Sequence, residues 1–186
     1  MVPIAALWLP ILLAAVFVFL ASFALHTLIP WHRGDLEGVP DEEGLRRALR
    51  TFSLPPGDFV IPFIGSSSHS DPAFVEKMTE GPVAFVTVRP NAPPAMGKPL
   101  ALWFLYSVLV GLLSAFVAGP LLRPGEAGHE VFHAVALTSF GAYAMALVQQ
   151  SIWWAKKWSA TIKSMIDGLV YALITGLTFA WLWPEM

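Results

Sequence analysis

The sequence predicts an all-α membrane protein: four transmembrane helices, with a small cytoplasmic α/β insertion between the first and the second. Three observations carry this. The 186 residues are 56% hydrophobic and only 13% charged, against about 25% charged in a soluble domain. Residues 1–30 hold no Asp, Glu, Lys or Arg, whereas 31–98 hold seven basic and nine acidic residues. The remaining eight charges are spread thinly over 99–186. The chain therefore divides into a first transmembrane helix (1–30), a polar insertion (31–98) and a three-helix part that completes the bundle (99–186). The composition excludes a disordered chain, and the absence of Cys excludes a disulfide-stapled domain. A net charge of −2 excludes a basic nucleic-acid binder.

A hydrocarbon core about 30 Å thick takes about 20 apolar residues as helix. Residues 4–29 exceed that length. They lack a basic leader and outrun the apolar segment of about 7–15 residues in a signal peptide, so we read a retained helix. In the insertion, Asp41 caps a helix over 42–51 whose Leu45, Leu49 and Phe52 share a face. Pro55-Pro56-Gly57 ends it, and 58–63 reads as a strand. Asp71-Pro72 opens a second helix, running to about Thr79 and stopped by Gly81. The β-branched run 83–88 is a second strand. Strand, helix, strand is the order of a parallel pair with a right-handed crossover. Two strands and two short helices make a thin core, so the insertion is expected to lean on the bilayer or on a partner. A Pro-rich connector, 90–99, leads to spans over 100–122, 131–148 (extendable to 154) and 162–183.

Lys and Arg number ten on the side that holds 31–98 and the loop near 155–163, against one, Arg123, on the other. The positive-inside rule then makes 31–98 cytoplasmic and leaves both termini outside. Trp8, Trp181 and Trp183 on one face, and Trp31, Trp153, Trp154 and Trp158 on the other, form aromatic belts. In the second span Ser107, Gly111, Ala115 and Gly119 recur every four residues. In the fourth, Ser164, Gly168, Ala172, Gly176 and Ala180 do the same. Small residues at this spacing let helices approach closely in lipid. Two uses are open: the second span packing on the fourth, or self-association of copies.

Two constellations carry chemistry. The first is a polar cluster at the inner boundary: His26, Gln149, Gln150, Lys163 and Asp167. An ionisable residue inside a span marks a functional site by default, with Lys163 or His26 as the partner of Asp167. The functional reading is a proton-linked or small-molecule site, as in a carrier or quinone-binding subunit. The plain reading is an interhelical polar clamp. His32 and His69 lie in loops and are expected to be solvated. The second constellation is His129-Glu130-x-x-His133. On a helix it presents two imidazoles to one zinc ion, with Glu130 as general base. Asp167-Gly168 resembles the aspartate–glycine ligand of site-2-type intramembrane metalloproteases. It lies on the order of 15–20 Å from that motif in depth, at 1.5 Å rise per residue, and cannot complete it. At a helix start Glu130 also complements the dipole. No other feature implies a cofactor, and no catalytic set converges.

Residues 80–104 and 151–184 resemble a family of bacterial four-span integral membrane proteins. That resemblance implies a bacterial cytoplasmic (inner) membrane protein and supplies no activity or catalytic residue. The leading expectation is therefore a structural, partner-docking subunit of a membrane complex. The alternatives are a small-molecule or proton-linked site at His26 and Asp167, and a zinc hydrolase at His129, Glu130 and His133. The expected partners are the bilayer and another membrane or cytoplasmic protein, or a second copy; none is a nucleic acid.

Overall fold

The computed structural model describes residues 1–185. In chain order the elements are α1 (Trp8–Phe23), α2 (Glu42–Thr51), β1 (Gly57–Ile61), α3 (Pro72–Glu80), β2 (Ala84–Val88), α4 (Gly97–Leu121), α5 (Gly128–Tyr143), α6 (Val148–Trp154) and α7 (Trp158–Trp181). The chain forms two compact units, residues 1–37 with 95 onward, and Gly38–Pro94. Residues 31–37, expected in the insertion, thus belong to the helical unit.

Four helices are long and apolar enough to cross a membrane: Ile4–Leu28, Gly97–Leu121, Gly128–Trp154 and Trp158–Trp181. The first joins a 3-10 turn (Ile4–Leu7), α1 and a π turn (Ala24–Leu28). It stops before Pro30, which has no N–H to continue the ladder. The Pro-rich connector yields its last residues to α4, because Pro99 sits in the first turn, where a missing N–H costs nothing. The third helix breaks after Tyr143. At this break the Tyr106 hydroxyl donates to the Ala142 carbonyl at 2.7 Å.

In the bundle α1 packs on α4 and α7, and α5 packs on the same two. α4 and α7 are therefore diagonal, meeting across the centre through rings such as Trp103 and Tyr171 (centroids 5.6 Å apart). This corrects the expectation that the second span packs on the fourth. Each small-residue stripe serves a different neighbour. On α4, a Cβ at Gly111 would stand 3.4 Å from Ile11, and one at Gly119 only 2.7 Å from the Val2 carbonyl. The Val2 N–H in turn donates to the Gly119 carbonyl at 2.8 Å. On α7, a Cβ at Gly168 would meet Ala144 at 2.9 Å, and one at Gly176 would meet Ala136 at 2.8 Å and Phe132 at 2.9 Å. Spacing identifies a small face but does not say which neighbour it meets. Ser107, Ala115 and Ala172 are buried along the same stripes, and Ala180 packs on the core. One end of the core gathers Leu7, Ile11, Val131, Val135 and Phe179. The other gathers Val18, Val110, Tyr143 and Tyr171.

In the second unit Asp41 and Asp71 cap α2 and α3, accepting from the Gly44 and Ala73 N–H groups at 2.9 Å each. β1 and β2 pair antiparallel, Gly57 opposite Val88 and Ile61 opposite Ala84. The parallel crossover is thus incorrect. A parallel pair needs its crossover helix laid on the sheet face, and α3 makes no extensive packing on either strand. No residue of Gly38–Pro94 is buried.

Candidate functional site

The site forms where the π turn ends the first helix, next to the start of α7. A π turn is wider than an α turn, and such turns recur at functional sites. Here it carries His26, and the short 3-10 turn Pro30–His32 returns the chain toward the bundle. His32 and Asp35, one turn apart, then reach α7. His32 Nε2 lies 2.8 Å from Asp167 Oδ2, and His26 Nε2 lies 3.8 Å from the same oxygen. The two imidazoles stack face to face, with centroids 4.8 Å apart and planes within 4°. Asp167 is buried, 3% exposed, in a helix whose neighbours are apolar.

The other ring nitrogens are also held. His32 Nδ1 donates to Asp35 Oδ2 at 2.6 Å, and His26 Nδ1 donates to the Ser22 carbonyl at 3.0 Å. The Trp31 indole N–H donates to His32 Nε2 at 2.7 Å. Asp35 Oδ1 takes the Lys163 ammonium at 2.5 Å, and that ammonium also donates to the Trp31 carbonyl at 2.7 Å. The hydrogen bond from Lys163, reinforced by His32, holds the Asp35 carboxyl below the usual carboxylate range.

Beside this cluster runs a cleft of about 240 Å³ lined by Ser22, His26, Trp103, Tyr143, Asp167 and Tyr171, among others. Among the described residues, three buried polar atoms have no hydrogen-bond partner within bonding criteria: Trp103 Nε1, Asp167 Oδ1 and the Tyr171 hydroxyl, which has the Ser22 side chain beside it. All three residues line the cleft. Orphaned buried polar groups cost about 1–3 kcal/mol each and are rare without a function or a bound group.

The sequence-predicted residues distribute unevenly. His26 and Asp167 come together as expected. Lys163 does not pair with Asp167 one turn away, because Asp35 and the Trp31 carbonyl take its ammonium. Gln149 and Gln150 are exposed on α6 and do not line the cleft. His32, expected in solvent, is a central member; the spacing His32-x-x-Asp35 was the signal for it. Trp103, Tyr143 and Tyr171 carried no signal beyond their aromatic character.

His129 and His133 sit one turn apart on α5, exposed, with centroids 6.3 Å apart. His129 Nε2 pairs with Glu130 at 3.3 Å, and Glu126 accepts from the Arg123 N–H. Among the described residues, the group of His, Cys, Asp and Glu close enough to share an ion is His26, His32 and Asp167. The zinc motif therefore gains no third ligand there. No protein-family model, curated protein or solved structure matches this chain. Its functional reading rests on the geometry of this cleft.

Proposed function

We propose that this chain is an integral membrane protein that binds a small carbonyl-bearing ligand of the quinone class in the cleft beside Asp167. One observation carries the reading: three residues with a buried, unpartnered polar atom line a single aromatic-walled cleft. Two of these groups, the Trp103 N–H and the Tyr171 O–H, are donors and want acceptors such as ring carbonyls. Trp103, Tyr143 and Tyr171 are within 5.6–6.1 Å of one another, centroid to centroid, and offer faces on which a planar ring stacks. The test is titration of the detergent-solubilised chain with short-chain ubiquinone, followed by tryptophan quenching. Saturable binding is expected, weakened about tenfold or more in Trp103→Phe and Tyr171→Phe, since a lost hydrogen bond of about 1.4 kcal/mol is a factor of ten. Without ligand, Tyr171→Phe is expected to be no less stable, because it removes only an orphaned hydroxyl. Unsaturable quenching, or wild-type affinity in both variants, overturns the reading.

In the membrane, the four apolar helices span the bilayer with Leu20, Leu105, Leu109, Leu137 and Leu177 outward, all exposed on the bundle surface. The bias of Lys and Arg supports a cytoplasmic insertion, outside termini and a bacterial inner-membrane location. The cleft then opens at the cytoplasmic boundary. A reporter fused after residue 186 that is active in the cytoplasm contradicts this orientation.

The docking role has its own support in Gly38–Pro94. With nothing buried inside it, this unit leaves Leu45, Leu49 and Phe52 of the α2 face exposed at 44%, 36% and 68%. A membrane-complex subunit that covers this face supplies the core the unit lacks. Purification as a lone monomer, with no partner lost on deleting 38–94, overturns that role.

A further inference from the structure

We propose that His26, His32 and Asp167 bind a divalent transition-metal ion of the zinc class, through the two imidazole Nε2 atoms and the Asp167 carboxylate. The argument begins with the protons. His26 gives its Nδ1 proton to the Ser22 carbonyl, and His32 gives its own to Asp35. In each ring Nε2 is then the nitrogen left to meet an ion. That is how ligand histidines are prepared: the far nitrogen donates to a carbonyl or carboxylate, fixing the ring and raising its basicity. The Trp31 N–H pointing at His32 Nε2 agrees, because a donor seeks a lone pair. Both Nε2 atoms face Asp167 Oδ2, that of His32 at hydrogen-bond distance (2.8 Å), so an ion binding here takes the place of the proton between them.

The distances are close to those of a metal centre. The three ligand atoms all lie within 4.8 Å of one another. Tetrahedral zinc with bonds of about 2.0–2.1 Å holds its ligands about 3.3 Å apart. The 3.8 Å and 2.8 Å separations from Asp167 bracket that value. The stacked rings, with planes within 4°, do not aim both lone pairs at one point, so binding requires His26, half exposed on the π turn, to rotate. Charge agrees as well. Lys163 pairs with Asp35 and leaves Asp167 with the two imidazoles as its partners. Two neutral imidazoles and one carboxylate form a common zinc set, with a fourth position left for a water or a ligand. His26 and Asp167 line the cleft, so that position borders it. The inference thus rests on the reading of the cleft as the working site, and names an oxygen donor, such as a ring carbonyl, as what the ion would meet there.

The experiment uses the full chain in detergent, freed of metal and titrated with Zn²⁺ and with Co²⁺. One ion per chain is expected, with the visible bands of four-coordinate Co²⁺ carrying nitrogen and oxygen ligands. His26→Ala, His32→Ala and Asp167→Asn are each expected to weaken binding by about 100-fold or more. Asp35→Asn, which loosens His32, is expected to weaken it about 10–100-fold. His129→Ala with His133→Ala leaves it unchanged, and Trp31→Phe, which removes a competing donor, leaves it unchanged or tighter. His26→Ala is the secure variant, because its side chain is not part of the core. Substoichiometric binding, or equal binding in wild type and His26→Ala, overturns the proposal, as does loss of the ion in the His129/His133 double variant. Trp103→Phe separates the two readings. It is expected to weaken quinone binding about tenfold or more and leave metal binding unchanged. Quinone binding without metal binding overturns the ion alone, and metal binding without quinone binding upholds it.

Discussion

Gly111 and Gly176 each belong to one of the two small-residue stripes, and the structure predicts different fates for them on substitution by alanine. At Gly111 the new methyl meets Ile11 at 3.4 Å, an ordinary van der Waals distance. At Gly176 it stands 2.8 Å from Ala136 Cβ, 2.9 Å from Phe132 and 3.1 Å from the Phe132 carbonyl. Two of these three are a short side chain and a backbone oxygen, neither of which can swing away. α5 and α7, the most extensively packed pair, must separate. Both substitutions gain the same helix propensity over glycine, so it cancels in the comparison. Overpacking costs about 1–3 kcal/mol, and Gly176→Ala should be less stable than Gly111→Ala by that amount. Reversible unfolding in mixed micelles, titrated with SDS and followed by far-UV circular dichroism, gives the difference. Two variants within about 0.5 kcal/mol of each other, or a larger loss at Gly111, would refute the claim that α7 uses its stripe against α5.

Two further outcomes follow. Lys157 donates to Glu37 at 2.9 Å; the ammonium holds the Glu37 carboxyl below its ordinary range, and Glu37 holds Lys157 above its own. Glu37 therefore stabilises fully above about pH 4.3 and loses this as pH falls through its lowered value. Lys157 stabilises fully below about pH 10.4 and loses this as pH rises through its raised value. The difference in Tm between wild type and Glu37→Gln should be small and flat across neutral pH and shrink at both extremes; a difference that grows at either extreme contradicts the pairing. Ser114 and Ser139 share a fully buried hydrogen bond of 2.9 Å between α4 and α5. A double-mutant cycle to alanine should show coupling of about 0.6–1.7 kcal/mol, and additive single losses would count against the bond.

The sequence read in advance carried the helices far better than the site. Charge-free residues 1–30 and the thin charges after 98 locate four apolar helices, because the cost of a charge in lipid is a one-dimensional constraint written along the chain. The caps Asp41 and Asp71 are equally local. Strand direction was misread because it depends on whether α3 covers the sheet, which no strand residue encodes. Lys163 and Asp167 stand at i, i+4 spacing, yet Lys163 turns to Asp35, 128 positions away. That preference arises only once the turn after α1 delivers residues 31–35 to α7. The histidine motif on α5 was conspicuous because its ligands are adjacent in sequence, whereas His26, His32 and Asp167 are joined only by the fold.

The π turn at Ala24–Leu28 has a consequence for how the chain tolerates length changes. Its closing bond runs from the Ile29 N–H to the Ala24 carbonyl at 3.3 Å, five residues back. The turn thus holds one residue more than an α turn. Removing one residue here lets the ladder close in the ordinary way over the same turn, so Pro30–His32 keep their direction toward α7. The same deletion in the regular part of α1 would instead rotate everything after it by about 100° around the helix axis. The wide turn is thus the one place where the first helix can lose a residue without carrying His32 and Asp35 away from α7.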